Sequence, residues 1–442
     1  MITVAMKKGY DLPISGEPAL KVNQVARPDR VASLPERIPF IKPRLQVKVG
    51  DHVDIGSVLF TDKQNPDLKF LSPGSGIVTE INFGLRRVIR EIVVRLDAGE
   101  QYVDFPKVTD AEIRSLSKAD LIQMLMQGGV WPLIRELPFR NIADPESQAA
   151  AIWVILGSRE PFQTSPEIYL RGQEALFTYG LKILRRFGFP VQVVAPDSLR
   201  LQNISELITH RVGGKYPSLD PGVVVYRTKT SAAENVAWYL SGQDLLAIAL
   251  LMKKGRYPVE RITAVGGSRA KSPGHYQTRI GMPVAAVAPE FTSAETGIAG
   301  GVFTGYTVAA TSYLGLYETA LTCIARKEEA ELFGFLRPGV GKHSYSRTFL
   351  SVFRKQAFDM DSGQHGEERA CVNCGSCAKV CPVDILPQYT VKCLGADAIE
   401  EALAHGLLDC VECGLCSYVC PSKIEIREIL QKARHAYYLE QQ

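Results

Sequence analysis

The chain has 442 residues, enough for three or four domains. Hydrophobic residues make up 46% and charged residues 22%, as in ordinary globular proteins, and a net charge of +4 gives no bulk argument for a nucleic-acid partner. No stretch approaches the roughly 18 apolar residues of a spanning helix, and the start, MITVAMKKGYDLP, lacks the apolar centre of a signal peptide. A protein kept in a reducing cytoplasm is expected, with any membrane contact peripheral.

In chain order, residues 40–97 read as small β structure. Leu45, Val47 and Val49 alternate with polar residues before Gly50-Asp51. Ser57–Phe60, Ile77–Ile81 and Ile89–Arg95 are further β-rich runs split by Pro and Gly. The phrases VKVGDHVDIGSVLFTDK and SPGSGIVTEI resemble the barrel-sandwich fold of lipoyl and biotinyl domains. Lys63 stands about where the modified lysine of such carriers would be. Lys63-Gln64-Asn65-Pro66 is not a two-residue hairpin tip, and folds are reused without their chemistry, so Lys63 is expected to be unmodified.

Residues 115–250 alternate strand and helix signals. Ala151–Leu156 reads as a buried strand, Glu167–Phe187 as a helix with Leu170, Leu181 and Leu184 on one face, and Val191–Ala195 as the next strand. Together they predict a parallel βαβ unit with a right-handed crossover. Val223–Tyr226 is expected to add a strand, and Ala232–Lys253 helical segments broken near Ser241-Gly242. Residues 256–320, with short strands and many glycines, suggest a compact β-rich module. Ala357–Ala370 reads as a linker. Ala396–His405 and the residues after Pro421 follow helical spacing, with Gly406 as a stop.

Nucleotide motifs fail on inspection. Gly339–Ser344 echoes the end of a phosphate-binding loop but has Leu336 where a glycine is needed and His343 in place of Ser or Thr. Gly157-Ser158-Arg159-Glu160 follows a strand without G-x-G-x-x-G. Gly128-Gly129-Val130-Trp131-Pro132 soon fills with bulky side chains, which block the close backbone approach that phosphates need. No FMN or NADH site is expected. His52, His210 and His275 lie in unrelated segments, and no catalytic residue is assigned.

The C-terminal cysteines carry the chemistry. Cys371, Cys374, Cys377 and Cys381 read C-x2-C-x2-C-x3-C with Pro382 following. Cys410, Cys413, Cys416 and Cys420 repeat the pattern with Pro421 following. This is the ligand run of a two-cluster ferredoxin, in which the fourth cysteine of each run serves the other cluster. The expected ligands are Cys371, Cys374, Cys377 and Cys420 for one [4Fe–4S] cluster, and Cys410, Cys413, Cys416 and Cys381 for the second. Zinc, with four ligands, would leave a third cysteine and a Cys-Pro in each run without purpose. Cys323 and Cys393 are left over, in surroundings read as helical and apolar, where a buried thiol is the default.

The order of parts resembles the RnfC component of the Rnf complex, a ferredoxin:NAD oxidoreductase of bacterial membranes. Details resemble more closely the NqrA family, a component of the sodium-translocating NADH:quinone reductases. The matching stretches are KKGYDLPISGEP at Lys7–Pro18, VKVGDHVDIGSVLF at Val47–Phe60 and GGVWPLIRELPF at Gly128–Phe139. ELFGFLRPG at Glu331–Gly339 and LCSYVCPSK at Leu415–Lys423 continue them. Typical NqrA chains have lost most of the ferredoxin cysteines; this chain keeps all eight. The resemblance implies a multidomain α/β plus α+β chain. Its parts are a lipoyl-like barrel-sandwich hybrid in an N-terminal β domain over 1–105, a Rossmann-like parallel α/β domain over 106–254 and a small β-grasp-like module over 255–340. A linker over 341–370 then leads to a helical two-cluster ferredoxin-like domain over 371–442. It implies an electron-transfer subunit of a redox-driven ion pump, peripheral on the cytoplasmic face of the bacterial inner membrane. Implied partners are integral membrane and flavin-bearing subunits, with quinone at an interface and no nucleic acid. The coupling ion, sodium or proton, stays open at this stage. So do two alternatives: an RnfC-type chain, and a docking subunit whose clusters are structural.

Overall fold

A computed structural model describes residues 1–327, 336, 338–341, 343–346, 349–363 and 366–441, with the side chain of Gln202 excepted. Most of the Glu331–Gly339 stretch, and Lys342 of the phosphate-loop echo, lie outside the described residues.

The centre of the chain is a seven-stranded sheet. Its order is Ile2–Ala5, His210–Gly213, Val191–Pro196, Ile152–Ile155, Ala237–Ser241, Arg135–Leu137, Asn141–Ile142. The first five are mutually parallel; Arg135–Leu137 pairs antiparallel with the fifth, and Asn141–Ile142 pairs antiparallel with Arg135–Leu137 at the edge. Ile152–Ile155 is buried at every residue. A parallel strand covered on both faces has no solvent side, which is why Ala151–Leu156 reads as an unbroken apolar run. One face packs on helices Glu174–Arg185 and Gly242–Lys254; the other packs on helix Pro221–Thr228 through Val224 and Val225.

Several sequence expectations need correction here. Val223–Tyr226 belongs to that last helix, not to a strand. The Asp220 side chain accepts from the Gly222 and Val223 amides and Pro221 opens the first turn, and these start signals outweigh a β-branched run. Within the expected helical stretch Ala232–Lys253, Ala237–Ser241 is a strand paired in parallel with Ile152–Ile155. Ser241 then caps the helix in a reciprocal box with Asp244. Glu167–Phe187 is two helices, Pro166–Tyr169 and Glu174–Arg185, parted by Gly172 at φ 74°. Cys323 lies in strand Ala320–Ala325 rather than in helical surroundings, whereas Cys393 lies in helix Pro387–Gly395.

The N-terminal segment ties the parts together. Residues Ile2–Ala5 join the central sheet, and Ala19–Gln24 edges a six-stranded sheet otherwise built from residues 260–325. The first 24 residues therefore contribute strands outside the β domain expected over 1–105. That domain is a four-stranded and a three-stranded sheet built from residues 30–96. Of the alternating Leu45, Val47 and Val49, only Leu45 lies in a strand, Pro43–Leu45. The expected linker is also anchored: Phe358 is buried and bridges to Ile14, and Asp361 bridges to Ala325.

Lys63 is exposed at the start of connection 63–68, between strands Val58–Asp62 and Lys69–Leu71. Its amide donates to the Lys42 carbonyl at 2.8 Å, so this is a pinned loop rather than a two-residue tip. The intact mass of the purified chain is expected to equal that of the unmodified sequence. An added lipoyl or biotinyl mass that vanishes in Lys63→Ala would defeat this.

Candidate functional site

The two cysteine runs lie on short loops that face each other. Each loop turns through a left-handed glycine, Gly375 at φ 72° and Gly414 at φ 77°, into a helix of one turn or little more, Ser376–Val380 or Leu415–Tyr418. Neither position has a Cβ, so the chain reverses without strain and turns its amides toward the sulfurs. Helices Pro387–Gly395, Ile399–Ala404 and Ile426–Glu440 pack around the loops.

Cys377, Cys381, Cys410, Cys413 and Cys420 are buried in one apolar core with Val380, Leu415 and Leu430, and Cys416 packs against it. Cys371 and Cys374 are exposed. None of these thiols is in a disulfide. Cys381, from the first run, sits among the cysteines of the second. Burial pushes its thiol up to about 11, and the nearby Cys410 thiolate acts in the same direction. Burial likewise raises Cys413 and Cys416, and both also feel Cys410 and Cys381. In the first run, burial raises Cys377, with Cys374 as its thiolate neighbour.

Backbone amides oppose the burial. Those of Val383 and Ile385 point at the Cys381 sulfur, and that of Leu415 at Cys413. The Glu412 amide lies 3.5 Å from Cys410 Sγ. Buried sulfurs surrounded by N–H donors suit an iron–sulfur cluster, whose bridging and ligand sulfurs carry negative charge. Eight cysteines with amides directed at the buried sulfurs form a donor set that fits iron–sulfur clusters.

Docking residues that sequence reasoning missed fasten this domain to the central sheet. Tyr216 Oη donates to the Cys413 carbonyl at 2.7 Å and stacks on Phe303. Arg140 pairs with Asp220 at 2.7 Å and donates to the Val411 carbonyl at 2.9 Å. Arg227 and Lys8 both reach Asp384, at 2.8 and 2.7 Å. Buried Arg434 pairs with Glu412 and donates to the Pro138 carbonyl. No motif marks these residues, because each partner is distant in sequence.

The loop Gly128–Arg140 is thus a platform. Trp131 is buried edge-on to Trp238 and Phe187, its indole N–H bonded to Ala143 O at 2.9 Å. A cavity of about 430 Å³ opens at the carboxyl ends of Ile152–Ile155 and Ala237–Ser241, where strand order reverses. Such crevices hold nucleotides in α/β folds. Here the Tyr169 side chain lies against Gly242, at the start of the next helix, within 2.6 Å of where a Cβ would stand. The Tyr169 side chain thus fills space beside the start of that helix. Calorimetric titration with NADH or FMN is expected to give binding weaker than micromolar; submicromolar binding of either would contradict this reading.

Comparison with known proteins follows the same division. Residues 4–97 match the NqrA N-terminal barrel-sandwich hybrid domain, and 116–257 match the NqrA second alpha/beta domain. Residues 370–424 match a 4Fe-4S dicluster domain. The NqrA component of the Na(+)-translocating NADH-quinone reductase of Actinobacillus pleuropneumoniae serotype 3 is 34% identical over 418 residues, covering 92% of each chain. That of Haemophilus influenzae Rd is 33% identical over the same length and coverage. The chain belongs to the NqrA family. A solved NAD+-reducing [NiFe]-hydrogenase overlaps 51% of this chain at 11% identity and a TM-score of 0.32, too slight a likeness to carry an argument.

The barrel-sandwich domain, the second α/β domain and the ferredoxin domain expected from sequence are all present within this family frame. Among the described residues, no helix is long and apolar enough to cross a membrane.

Proposed function

We propose that this chain is the peripheral electron-transfer component of a sodium-translocating NADH:quinone oxidoreductase, on the cytoplasmic face of the membrane. Membership of the NqrA family supports the complex; the retained cysteines support the electron-transfer role. Two [4Fe–4S] clusters, when bound, supply one-electron steps. Cys371, Cys374, Cys377 and Cys420 hold one; Cys410, Cys413, Cys416 and Cys381 hold the other.

The observation that supports this reading is the packing of Cys381 in one buried core with Cys410 and Cys413, with Cys416 against it. Cross-ligation of this kind brings two clusters close together, as a relay requires. The chain's own residues then have three tasks. The eight thiolates hold iron. The amides of Val383, Ile385 and Leu415 stabilise negative charge on sulfur. Leu415, Leu430 and Val380 exclude water from the buried side, while exposed Cys371 and Cys374 leave the first run open to a partner. No general acid or base is needed. Membrane and flavin-bearing subunits are the partners, with quinone at an interface.

Iron and sulfide analysis of anaerobically purified chain, with EPR of the reduced protein, tests the cofactors. About eight irons per chain and two interacting one-electron centres are expected. A chain that retains only zinc would defeat the proposal.

A further inference from the structure

The hairpin joining strands Gly76–Phe83 and Ile89–Leu96 has an unusual apex. Its sequence is Phe83-Gly84-Leu85-Arg86-Arg87-Val88. Leu85 is 92% exposed, with Phe83 at 52% and Val88 at 44%. Arg86, Arg87 and Arg90 are exposed beside them.

Three features set this apex aside from an ordinary turn. First, apolar and cationic side chains share the tip, and the described residues leave Leu85 almost wholly uncovered. Second, Arg86 and Arg87 both sit at left-handed φ, 55° and 58°. Side chains with a Cβ rarely adopt that conformation, and glycine is the usual occupant. The turn therefore carries two arginines where backbone preference favours none. Third, their charge is not neutralised. Glu80 is taken by Arg30 at 3.0 Å, and Asn82 donates to both Glu80 and Glu91. Glu36 Oε1 lies 3.9 Å from where a Cβ on Gly84 would stand. Among the described residues, Arg86, Arg87 and Arg90 form no ion pair.

We propose that this hairpin tip docks on an anionic lipid surface. Leu85 and Phe83 enter the boundary between headgroups and acyl chains, and Arg86, Arg87 and Arg90 meet lipid phosphates. Apolar side chains ringed by arginine suit such an interface, since burial of the first and attraction of the second act together. The proposal goes beyond the electron-transfer reading and does not depend on the clusters.

The test is co-sedimentation of the full chain with two kinds of vesicle, phosphatidylcholine alone and phosphatidylcholine mixed with phosphatidylglycerol. Binding is expected to the mixed vesicles only, and to weaken with salt. The double variant R86G/R87G relieves the left-handed positions, so it is expected to melt no lower than the parent. It is expected to bind mixed vesicles at least about tenfold more weakly, since each cation near the surface is worth roughly a factor of five. L85S removes an exposed group, leaves folding alone and is also expected to weaken binding. Failure to sediment with mixed vesicles, equal binding to both kinds, or unchanged binding by the variants would each overturn the proposal. Failure there would leave the hairpin to a protein partner and the electron-transfer reading intact.

Discussion

Cys420→Ser is expected to abolish the cluster of the first cysteine run and to spare that of the second, although Cys420 belongs to the second run in sequence. The fourth cysteine follows a three-residue gap and a one-turn helix, Leu415–Tyr418. In two-cluster ferredoxins the fourth cysteine of each run serves the other cluster. Cys381 follows Ser376–Val380 and shares a buried core with Cys410 and Cys413, with Cys416 packed against it. Cys381→Ser is accordingly expected to remove the second cluster. EPR of the reduced variants reads this: each should show one isolated centre in place of an interacting pair, and the two remaining signals should differ from each other. Both variants should also lose stability, since cluster binding and folding are coupled. If Cys420→Ser removed the second run's cluster alone, cross-ligation would be wrong.

Arg434→Ala is expected to destabilise the cluster domain by about 3–5 kcal/mol, the cost of leaving a buried charge unpaired. The Arg434 side chain is 2% exposed and that of its partner Glu412 15%. Glu412 lies between Cys410 and Cys413, and Arg434 also holds the Pro138 carbonyl of the platform loop. One substitution thus removes the cation that pairs with a largely covered carboxylate, leaving it only the Gln431 amide at 3.1 Å, and cuts a tie to the central sheet. Denaturant unfolding of the cluster-loaded chain reads the loss. Glu412→Gln in the Arg434→Ala background should recover part of it, because the uncompensated charge is then gone. A loss below about 1 kcal/mol, the level of an exposed pair, would show that the buried pair does not anchor the domain.

How far the sequence discloses this molecule depends on whether the signal is local. The cysteine spacing is local, and so are the buried strands Ile152–Ile155 and Val191–Pro196, whose apolar runs follow from a sheet covered on both faces. The misread segments are those where two local signals compete. Val223–Tyr226 has strand-like residues behind a helix start at Asp220-Pro221, and the cap decides. Ala237–Ser241 is a strand ending at the residue that caps the next helix, so periodicity runs the two together. The docking residues are a different case. Lys8 with Asp384, Arg140 with Val411 and Tyr216 with Cys413 are joined only by folding. The same is true of the N-terminal strands, whose pairing partners lie near residues 210 and 275.

Most direct of all is an EPR-monitored redox titration of the chain within its assembled, anaerobically purified complex, with NADH as reductant. Two coupled one-electron centres that are reduced by NADH and reoxidised by quinone are the predicted result. Clusters that are present but stay unreduced throughout turnover would contradict the relay and leave them a structural part of the C-terminal domain.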